Sequence, residues 1–513
     1  MKHVILTLAI LLLVPLTKSQ AADMQKPNIV FILADDLGYG DVQYYDPQFS
    51  KIATPHIDRL AREGMSFLNA HASSACCTPS RYSLLTGRYN WRTRLQAGVL
   101  KPYDPPLIEP GRLTVAGLLW KQGYHTACIG KWHLGWDWPR RDGKEVFDQP
   151  IAGGPTTCGF NYYFGTDVPN YPPFTFIEND RVTVQPTETF DGGPRELFVG
   201  RKGPMAPGWK FERILPTLTG KVVSYLGERA QDKQPFFLYF PLTTPHEPIA
   251  PSEAFRGKSG ISPVADLIME SDWAVGQVLE ALNRHHMTDN TLVIFSSDNG
   301  HSPYTGLKAF QDAGHRVSGP FRGYKADAWE GGHHEPFVAK WPGVVKPSSR
   351  CDQLISLADF MATCADIVGA KLPADAGEDS VSILPLLRGS DRPVRDVVVS
   401  QSARGLFTIQ RGYWKLILGQ GSGGFAKIDT GPDQGQLYDL SGDVAEAVNV
   451  YSKHPEVVTE LTAVIEKIVA AGRSTPGPSQ KNAVPVRLFP KKDTAAIKGR
   501  KRIESETTLQ TDG

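Results

Sequence analysis

The sequence has little excess charge and few cysteines. Its 55 Lys and Arg residues against 54 Asp and Glu residues leave a net charge of +1, and apolar residues make up 41% of the 513 residues. This balance excludes an intrinsically disordered chain, which needs low hydropathy or strong net charge, and it argues against a dedicated nucleic-acid binder, which carries a basic excess. The 6 cysteines are too few for a disulfide-built scaffold and leave room for one or two bridges.

The sequence also lacks an apolar run long enough to span a membrane, which takes about 20 residues. Its most apolar segment runs from Val4 to Leu16, follows Lys2 and precedes Ser19-Gln20-Ala21. A short apolar run with a basic residue ahead of it and a small-x-small pattern behind it is typical of a cleaved secretory signal. The sequence therefore predicts a signal peptide over residues 1–21 and a periplasmic or secreted protein.

Three short apolar runs predict strands of a parallel sheet. Residues 28–34, 236–240 and 291–296 are continuous and rich in branched or aromatic side chains, as in strands that are buried on both faces. A helical pattern over residues 266–282 lies directly ahead of the third run, where a crossover helix belongs. These features predict an α/β catalytic domain over residues 22–380, with a mostly parallel sheet flanked by helices.

From about Gly377 the pattern changes to shorter elements. Strands are predicted at residues 397–401, 406–410 and 414–418, and His454-Pro455 opens a helix that Gly472 ends. We expect a smaller α+β domain over residues 381–473, in which the helix covers an antiparallel sheet. Residues 474–513 lack periodicity and predict either an extended arm or a partly disordered tail.

Titratable or metal-binding side chains follow four predicted strands. They are Asp35 and Asp36 after the first run, Lys131 and His133 after residues 125–130, His246 after residues 236–240, and Asp298 and Asn299 after residues 291–296. Ligands of open parallel sheets bind beyond the carboxyl ends of the strands. The sequence therefore predicts that these side chains share one site.

The segment from Cys77 to Arg88 predicts an anion-binding helix N-terminus. Thr78 can cap a helix, Pro79 suits its first turn and Gly87 suits its end, so that Cys77 lies beside the positive end of the helix dipole. Arg81 lies one turn further on and can add a charged donor to the same anion. Cys76 and Cys77 both lie closer to Arg81 than the nucleophile of a cysteine phosphatase lies to its arginine, which disfavours plain thiol chemistry.

This segment resembles the signature of the formylglycine-dependent sulfatases, Cys-x-Pro-x-Arg followed by Leu-Thr-Gly-Arg. Further matches to family motifs follow in family order over nearly the whole mature chain. They are Asp35 to Asp41 (DDLGYGD), Gly130 to Gly135 (GKWHLG), Pro245-His246-x-Pro248, Ser297 to Gly300 (SDNG), and Lys325 ahead of Trp329 to Gly332 (WEGG). The resemblance implies an alkaline-phosphatase-like fold and a sulfate-ester hydrolase of the arylsulfatase type.

The resemblance also implies the cofactors. Cys77 would be oxidised to formylglycine by a formylglycine-generating enzyme, and the hydrate of that aldehyde would be the nucleophile. Asp35, Asp36, Cys77, Asp298 and Asn299 would hold one metal ion. Carboxylate and amide oxygens select a hard cation, and their irregular set suits Ca²⁺ better than octahedral Mg²⁺.

The remaining roles also come from the resemblance. Lys131 and Lys325 would neutralise the sulfate oxygens. His246 would protonate the departing oxygen, and His133 would take a proton from the second hydroxyl of the hydrate, so that sulfate leaves. A sulfated carbohydrate, galactose- or GalNAc-configured, is the expected substrate. A phosphonate or phosphodiester hydrolase of the same fold and a non-catalytic sulfoglycan-binding protein stay open as alternatives.

Several positions depart from the family pattern or allow two interpretations. Many relatives carry Val or Ile and then Arg where this chain has His333-His334, and the family's additional sulfate-contacting serine has no counterpart near Gly165-Thr166-Asp167. The segment from His301 to Arg322, with Asp312, His315 and Arg316, is either a substrate-selecting segment or a surface loop. Four aromatic residues either stack on sugar rings or belong to the core, namely Trp91, Trp136, Trp138 and Tyr171. His56, His71 and His125 receive no role.

Overall fold

The computed structural model describes residues 26–193, 200–428 and 430–489. The predicted signal peptide and the end of the predicted tail lie outside these residues. The described chain forms twenty strands: β1 (Asn28–Asp35), β2 (Met65–Phe67), β3 (Ala70–His71), β4 (His125–Lys131), β5 (Arg140–Arg141), β6 (Lys144–Glu145), β7 (Tyr162–Thr166), β8 (Ile177–Glu178), β9 (Arg181–Val182), β10 (Glu188–Phe190), β11 (Gly203–Met205), β12 (Phe236–Pro245), β13 (Thr291–Ser297), β14 (Phe337–Lys340), β15 (Ser349–Cys351), β16 (Ile355–Ser356), β17 (Val397–Gln401), β18 (Phe407–Arg411), β19 (Trp414–Ile417) and β20 (Gln436–Asp439).

Ten α-helices accompany the strands in the described residues. They are α1 (Pro55–Glu63), α2 (Cys77–Thr86), α3 (Val115–Lys121), α4 (Ile214–Arg229), α5 (Pro263–Arg284), α6 (Leu307–Asp312), α7 (Glu330–His333), α8 (Phe360–Ile367), α9 (Leu384–Leu387) and α10 (Pro455–Ala471). The crossover helix predicted over residues 266–282 is confirmed as the central part of α5. Its N-cap is Ser262, whose side chain accepts a hydrogen bond from the amide of Ala265.

A ten-stranded, mostly parallel sheet forms the centre of the molecule. Its strand order is β15-β2-β14-β13-β1-β12-β4-β7-β8-β9. Strand β1 runs parallel to both β12 and β13, and β12 runs parallel to β4, whereas β14, β8 and β9 add antiparallel pairs towards the edges. The predicted α/β class is confirmed. The register places Phe31 beside Tyr239 on one side and Ile294 on the other.

Helices cover both faces of this sheet. Phe31 and Leu33 of β1 pack into one hydrophobic core with α2, α3 and α8, while Val30 and Ile32 pack into a second core with α1, α4 and α5. Successive side chains of a strand point to opposite faces, which explains why the strand is apolar at every position. Each of these fully buried side chains contributes about 1.5–3 kcal/mol to stability.

A second, four-stranded antiparallel sheet follows in the order β17-β18-β19-β20. Helix α10 packs on it and ends at Gly472, whose left-handed φ of 68° confirms the predicted C-terminus. Tyr89 and Trp91, which follow α2 in the chain, belong to the same core. Helix α9 lies beyond residue 380 but packs with the large sheet, so the predicted boundary between residues 380 and 381 stays a prediction.

Residues 474–489 run as an extended arm over both parts of the molecule. The amide of Ser474 donates to Asp379 Oδ1 at 3.0 Å, that of Gln480 to the Ala471 carbonyl at 2.8 Å, and that of Ala483 to the Arg92 carbonyl at 2.7 Å. All six cysteines are free thiols. No helix in the described part of the chain is both long enough and apolar enough to cross a membrane.

A buried charge cluster joins the small sheet to the large one. Lys415 Nζ of β19 lies 2.7 Å from Glu330 Oε1 and 2.8 Å from Glu446 Oε1. His334 Nδ1 lies 2.7 Å from Glu330 Oε2. Burial would raise the pKa of Glu330, but the charge of Lys415, that of His71 and the hydrogen bond from His334 hold it well below its usual value. The two histidines that depart from the family pattern therefore lie in or beside an ion-pair network.

We expect Lys415→Met to destabilise the fold, because it leaves two buried carboxylates without their cation. Removing one partner of a buried pair costs about 3–5 kcal/mol. Urea unfolding followed by tryptophan fluorescence measures this loss, and Lys467→Met, at an exposed position of α10, is the matched control. Equal unfolding midpoints for the two variants would show that the network adds no stability.

Candidate active site

Four neighbouring strands bring the predicted site residues together. Strands β13, β1, β12 and β4 are adjacent in the sheet. Asp35 is the last residue of β1 and Lys131 the last of β4, while His246 follows β12 and Asp298 follows β13 directly. Because these strands are parallel, their carboxyl ends meet at one edge. Cys77 and Arg81 on α2, and Lys325 ahead of α7, complete the group.

Helix α2 begins at Cys77, with Cys76 as its N-cap in extended backbone (φ −146°, ψ 152°). The prediction that Thr78 caps the helix is wrong. Thr78 is already helical, its Oγ1 accepts from the Leu100 amide at 3.3 Å, and no side chain caps the helix. The positive end of the dipole therefore faces the site without a capping group. Gly87 ends the helix in the left-handed region, with a φ of 62°, as predicted.

Arg81 lies entirely within the protein and holds the site's carboxylates. Its Nη2 lies 2.7 Å from Asp298 Oδ2 and 3.5 Å from Asp35 Oδ1, and its Nη1 donates to the Lys131 carbonyl at 3.1 Å. The sequence predicted a donor to a bound anion. In the structure the guanidinium contacts two carboxylates and a carbonyl, and so links the ends of β1, β4 and β13 to α2. Its role as a donor to a bound anion stays a prediction.

Two lysines face the paired aspartates. Lys131 Nζ lies 2.7 Å from Asp35 Oδ2, and Lys325 Nζ lies 2.7 Å from Asp36 Oδ2. Burial would raise the pKa of Asp35, but the charge of Lys131, followed by other cations of the site, holds it well below its usual value. Lys325 lowers the pKa of Asp36 in the same way against burial. Both aspartates are therefore held as carboxylates.

The oxygen atoms of this group fit a metal ion. Asp35 Oδ1 and Asn299 Oδ1 are buried and lack a hydrogen bond. Asp36 Oδ1 accepts from Asn299 Nδ2 at 2.9 Å and lies 3.9 Å from Cys77 Sγ. Ligand atoms of Asp35, Asp36, Cys77 and His246 all lie within 4.8 Å of one another. Buried, unsatisfied carboxylate and amide oxygens are what a hard cation such as Ca²⁺ binds.

A second cluster of potential metal ligands lies away from this site. Ligand atoms of His71, Glu330 and His333 also lie within 4.8 Å of one another. Lys415 Nζ, however, lies 2.7 Å from Glu330 Oε1 and 3.3 Å from His333 Nε2. Both carboxylate oxygens of Glu330 have a partner, Lys415 for Oε1 and His334 for Oε2, and none of the three side chains has a buried atom without a hydrogen bond, in contrast to Asp35 and Asn299. We therefore assign this cluster to the ion-pair network.

His133 is held in a strained backbone conformation with one nitrogen free. Its φ is 54°. Its amide donates to the Asp167 carbonyl at 3.1 Å and lies 3.2 Å from Asp167 Oδ1. Its Nε2 lies 3.1 Å from the Leu100 carbonyl, which can only accept, so Nε2 carries the proton. Nδ1 is buried without a partner. Burial and then Lys131 lower the pKa of His133 well below its usual value, which leaves Nδ1 as a proton acceptor.

His246 presents its other nitrogen to the site. Its Nδ1 donates to the Glu247 carbonyl at 2.8 Å, and its Nε2 lies 4.0 Å from Asp36 Oδ2. Burial lowers the pKa of His246 to about 4, although the charge of Asp35 opposes this shift. The two histidines therefore approach the nucleophile position through different ring atoms.

Of the side chains singled out between His301 and Arg322, two contact the segment after β1 and the third pairs within its own helix. His315 Nε2 lies 2.8 Å from Asp41 Oδ1, Arg316 stacks on Phe49, and Asp312 forms a surface ion pair with Lys308. None of these partners is a predicted site residue. His315 and Arg316 therefore stabilise the loop after β1. The structure brings none of Asp312, His315 and Arg316 to the site.

Of the four aromatic residues proposed for sugar stacking, only Tyr171 lies beside the site. Its ring centroid lies 5.7 Å from that of His133. Trp91 belongs to the core of the small sheet, and Trp136 and Trp138 belong to that of the large sheet.

Sequence reasoning did not assign a role to Asp167. This residue follows β7, so the rule that found the other strand-end residues would have found it too.

The chain is similar to known sulfatases over most of its length. The family model described as Sulfatase matches residues 27–370. An N-acetylgalactosamine-6-O-sulfatase of Bacteroides thetaiotaomicron is 36% identical over 492 residues, which cover 88% of this chain and 94% of the relative. Human arylsulfatase A is 33% identical over 491 residues, covering 88% and 90%. A solved Bacteroides thetaiotaomicron structure from work on glycosaminoglycan metabolism superposes with a TM-score of 0.77 at 35% identity, covering 86% of this chain and 99% of that one.

We expect Asp167→Ala to lower kcat about 10-fold or more with little change in KM, because a displaced catalytic group costs rate rather than binding. Asp167→Asn should lose less, since its amide oxygen can accept the same hydrogen bonds from His133 and Trp136 that Asp167 Oδ1 accepts at 3.2 Å. Steady-state turnover of a sulfate ester measures both variants, with the unfolding midpoint as the check on folding. Equal losses in the two variants would contradict a positioning role for this acceptor.

Proposed function

The chain belongs to the sulfatase family, and from this membership and the geometry of the site we propose that it removes sulfate from a sulfated glycan, with a formylglycine at position 77 and one Ca²⁺. Membership of the family makes the chain a sulfuric ester hydrolase. The proposal of a glycan is supported by the relative that is 36% identical and named for N-acetylgalactosamine 6-O-sulfate. The observation that carries the mechanism is the meeting of acids, cations and two histidines around Cys77.

Five residues would hold the metal ion in this proposal. They are Asp35, Asp36, Asp298, Asn299 and the converted residue 77. The ion would supply Lewis-acid polarisation of a sulfate oxygen and a lowered pKa of a coordinated hydroxyl. The buried, unsatisfied oxygens of Asp35 and Asn299 support this set.

The environment of Cys77 supports its conversion. The residue is 2% exposed, and burial raises the pKa of its thiol well above the usual value, against the charges of Lys131 and Lys325. A buried protonated thiol is a poor nucleophile. A formylglycine hydrate would supply two hydroxyls, one to attack sulfur and one through which sulfate is released. We propose that a formylglycine-generating enzyme carries out this conversion.

The charged side chains around residue 77 bind and orient the ester. Lys131 and Lys325 hold the sulfate oxygens. Arg81 keeps the carboxylates of Asp35 and Asp298 in place. His246 is the proposed proton donor to the departing sugar oxygen. It must first take up a proton from solvent at Nε2, because its Nδ1 proton is donated to the Glu247 carbonyl and burial lowers its pKa to about 4. His133 accepts a proton at Nδ1, the atom that the hydrogen bond to Leu100 leaves free. The carbonyl that each ring contacts decides which nitrogen faces the site, and the assignment of acid and base follows the family resemblance.

We also propose that the protein is periplasmic or secreted, as the predicted signal peptide suggests. The division into a catalytic domain over residues 22–380 and a smaller domain over residues 381–473 belongs to the same proposal. It is supported by the separate core of the four-stranded sheet.

A panel of position-defined sulfated sugars tests the proposed reaction. We expect release of inorganic sulfate from sulfated galactose-configured sugars, fastest from 6-O-sulfated N-acetylgalactosamine. An aryl phosphodiester should be turned over far more slowly. Ion chromatography of free sulfate and the release of phenol measure the two reactions. Faster turnover of the phosphodiester would contradict the proposal and favour a phosphodiester hydrolase.

Cysteine variants provide matched controls for this experiment. Cys77→Ser should abolish turnover with the fold intact, because a serine provides no second hydroxyl. Cys76→Ser should keep most activity, since serine is a favourable N-cap residue. The mass of the peptide that contains residue 77 should show an aldehyde and its hydrate. An active protein with an unmodified Cys77 would refute the conversion.

Removal of Ca²⁺ should abolish turnover and lower the unfolding midpoint, and added Ca²⁺ should restore both. A ligand present at 100 times its Kd stabilises the folded state by about 2.7 kcal/mol. Asp36→Asn should lose most of this Ca²⁺-dependent stabilisation, whereas Asp312→Asn, in a surface ion pair, should keep it. Metal analysis of the active protein provides the check, and a fully active protein without bound metal would refute the proposal.

A further inference from the structure

Two polar side chains without an assigned role, Asn170 and Glu247, are chain neighbours of Tyr171 and His246. Glu247 follows His246, and its carbonyl accepts the hydrogen bond from His246 Nδ1. Asn170 precedes Tyr171, whose ring packs against His133. Asn170 Nδ2 donates to Glu247 Oε2 at 3.2 Å. This contact links the segment that follows β7, whose Tyr171 ring lies against His133, to the segment that bears His246.

Both side chains offer hydrogen-bond acceptors that the protein leaves unused. Asn170 Oδ1 is buried without a partner, in a residue that is only 9% exposed. Glu247 is half-buried, and in the described residues its only side-chain hydrogen bond is the one from Asn170. A buried amide oxygen without a donor costs about 1–3 kcal/mol. A ligand that brings hydroxyl donors would relieve this cost.

Two cationic residues belong to the surroundings of this pair. The amide of Arg201 donates to the Asn170 carbonyl at 3.0 Å, and its guanidinium lies 4.4 Å from the Tyr171 ring centroid. Burial raises the pKa of Glu247, and Lys325 is the cation that opposes this shift most. Glu247 therefore lies within electrostatic range of a residue that we assign to sulfate binding.

We propose that Asn170 and Glu247 form a sugar-hydroxyl site, which accepts hydrogen bonds from ring hydroxyls of the sugar that carries the sulfate ester. The inference rests on the proposed function and adds the residues that recognise the leaving group. Two adjacent acceptors suit two neighbouring hydroxyl donors on one ring. A site built on such hydrogen bonds discriminates strongly against an analogue that lacks the donor, because its polar groups are then left unpaired.

Glu247→Gln tests this site on the intact protein. We expect kcat/KM for 6-O-sulfated N-acetylgalactosamine to fall about 10-fold or more, as for lost hydrogen bonds to a charged group. The inhibition constant of inorganic sulfate should stay within about twofold, because sulfate has no sugar ring. Glu253→Gln, at an exposed position of the segment after His246, should match the unsubstituted protein in both measurements.

A deoxy substrate identifies the hydroxyl that is bound. The unsubstituted protein should lose about 10-fold or more in kcat/KM when the contacted ring hydroxyl is removed. Glu247→Gln and Asn170→Ala should lose little further on that analogue, because the deleted partners belong to one interaction. If Glu247→Gln lowered both kcat/KM for the sulfated sugar and the affinity for inorganic sulfate, the proposal would be overturned, and Glu247 would have a general electrostatic role. Unchanged kcat/KM in both variants would also overturn it, whereas an unsubstituted protein inactive on every sulfated sugar would refute the proposed function itself.

Discussion

Asp35, Asp36 and Asp298 lie side by side in the interior only because Arg81, Lys131 and Lys325 are placed against them. An unpaired ion in the protein interior costs several kcal/mol, and three neighbouring carboxylates would also repel one another. The cations come from α2, from the end of β4 and from the loop ahead of α7. No single local segment can assemble this group, so the parallel sheet is the part of the fold that brings these charges together beside Cys77.

The same edge of the sheet stores backbone strain. Asp36 and His133 both have positive φ, at 66° and 54°, which costs about 1–3 kcal/mol for a residue other than glycine. Each is held by its neighbours: the amide of Asp36 by Asp298 Oδ1 at 3.2 Å and that of His133 by the Asp167 carbonyl at 3.1 Å. The strain turns two side chains away from the strand direction and towards the site. The packing of the two hydrophobic cores thus offsets the strain that orients the Asp36 carboxylate and the His133 imidazole.

Much of the site could be predicted from local sequence. The apolar runs gave β1, β12 and β13, and the residues directly after them proved to be neighbours, because parallel strands end at a shared edge. Family resemblance then supplied the roles of Cys77, Lys325 and the histidines, which spacing alone does not reveal. The roles themselves stay proposals, since they concern a metal ion and a modified residue.

What could not be predicted depends on contacts between distant segments. The cap of α2 is set by the backbone of Cys76, so the residue type of Thr78 was misleading. His315 pairs with Asp41, and Lys415 with Glu330 and Glu446, partners that no local pattern connects. The tautomer of His133 depends on the carbonyl of Leu100, a backbone atom that any residue would provide. Such features need the assembled fold.

Tyr89 and Trp91 follow the helix that carries Cys77, yet they complete their packing only in the core formed by β17–β20 and α10. During synthesis these later elements leave the ribosome hundreds of residues after Cys77. In a nascent chain, the segment that follows α2 therefore cannot reach its final packing until translation is almost finished. Up to that moment the segment around Cys77 lacks a permanent cover, so the proposed conversion of Cys77 would take place on the growing chain and not on the finished protein.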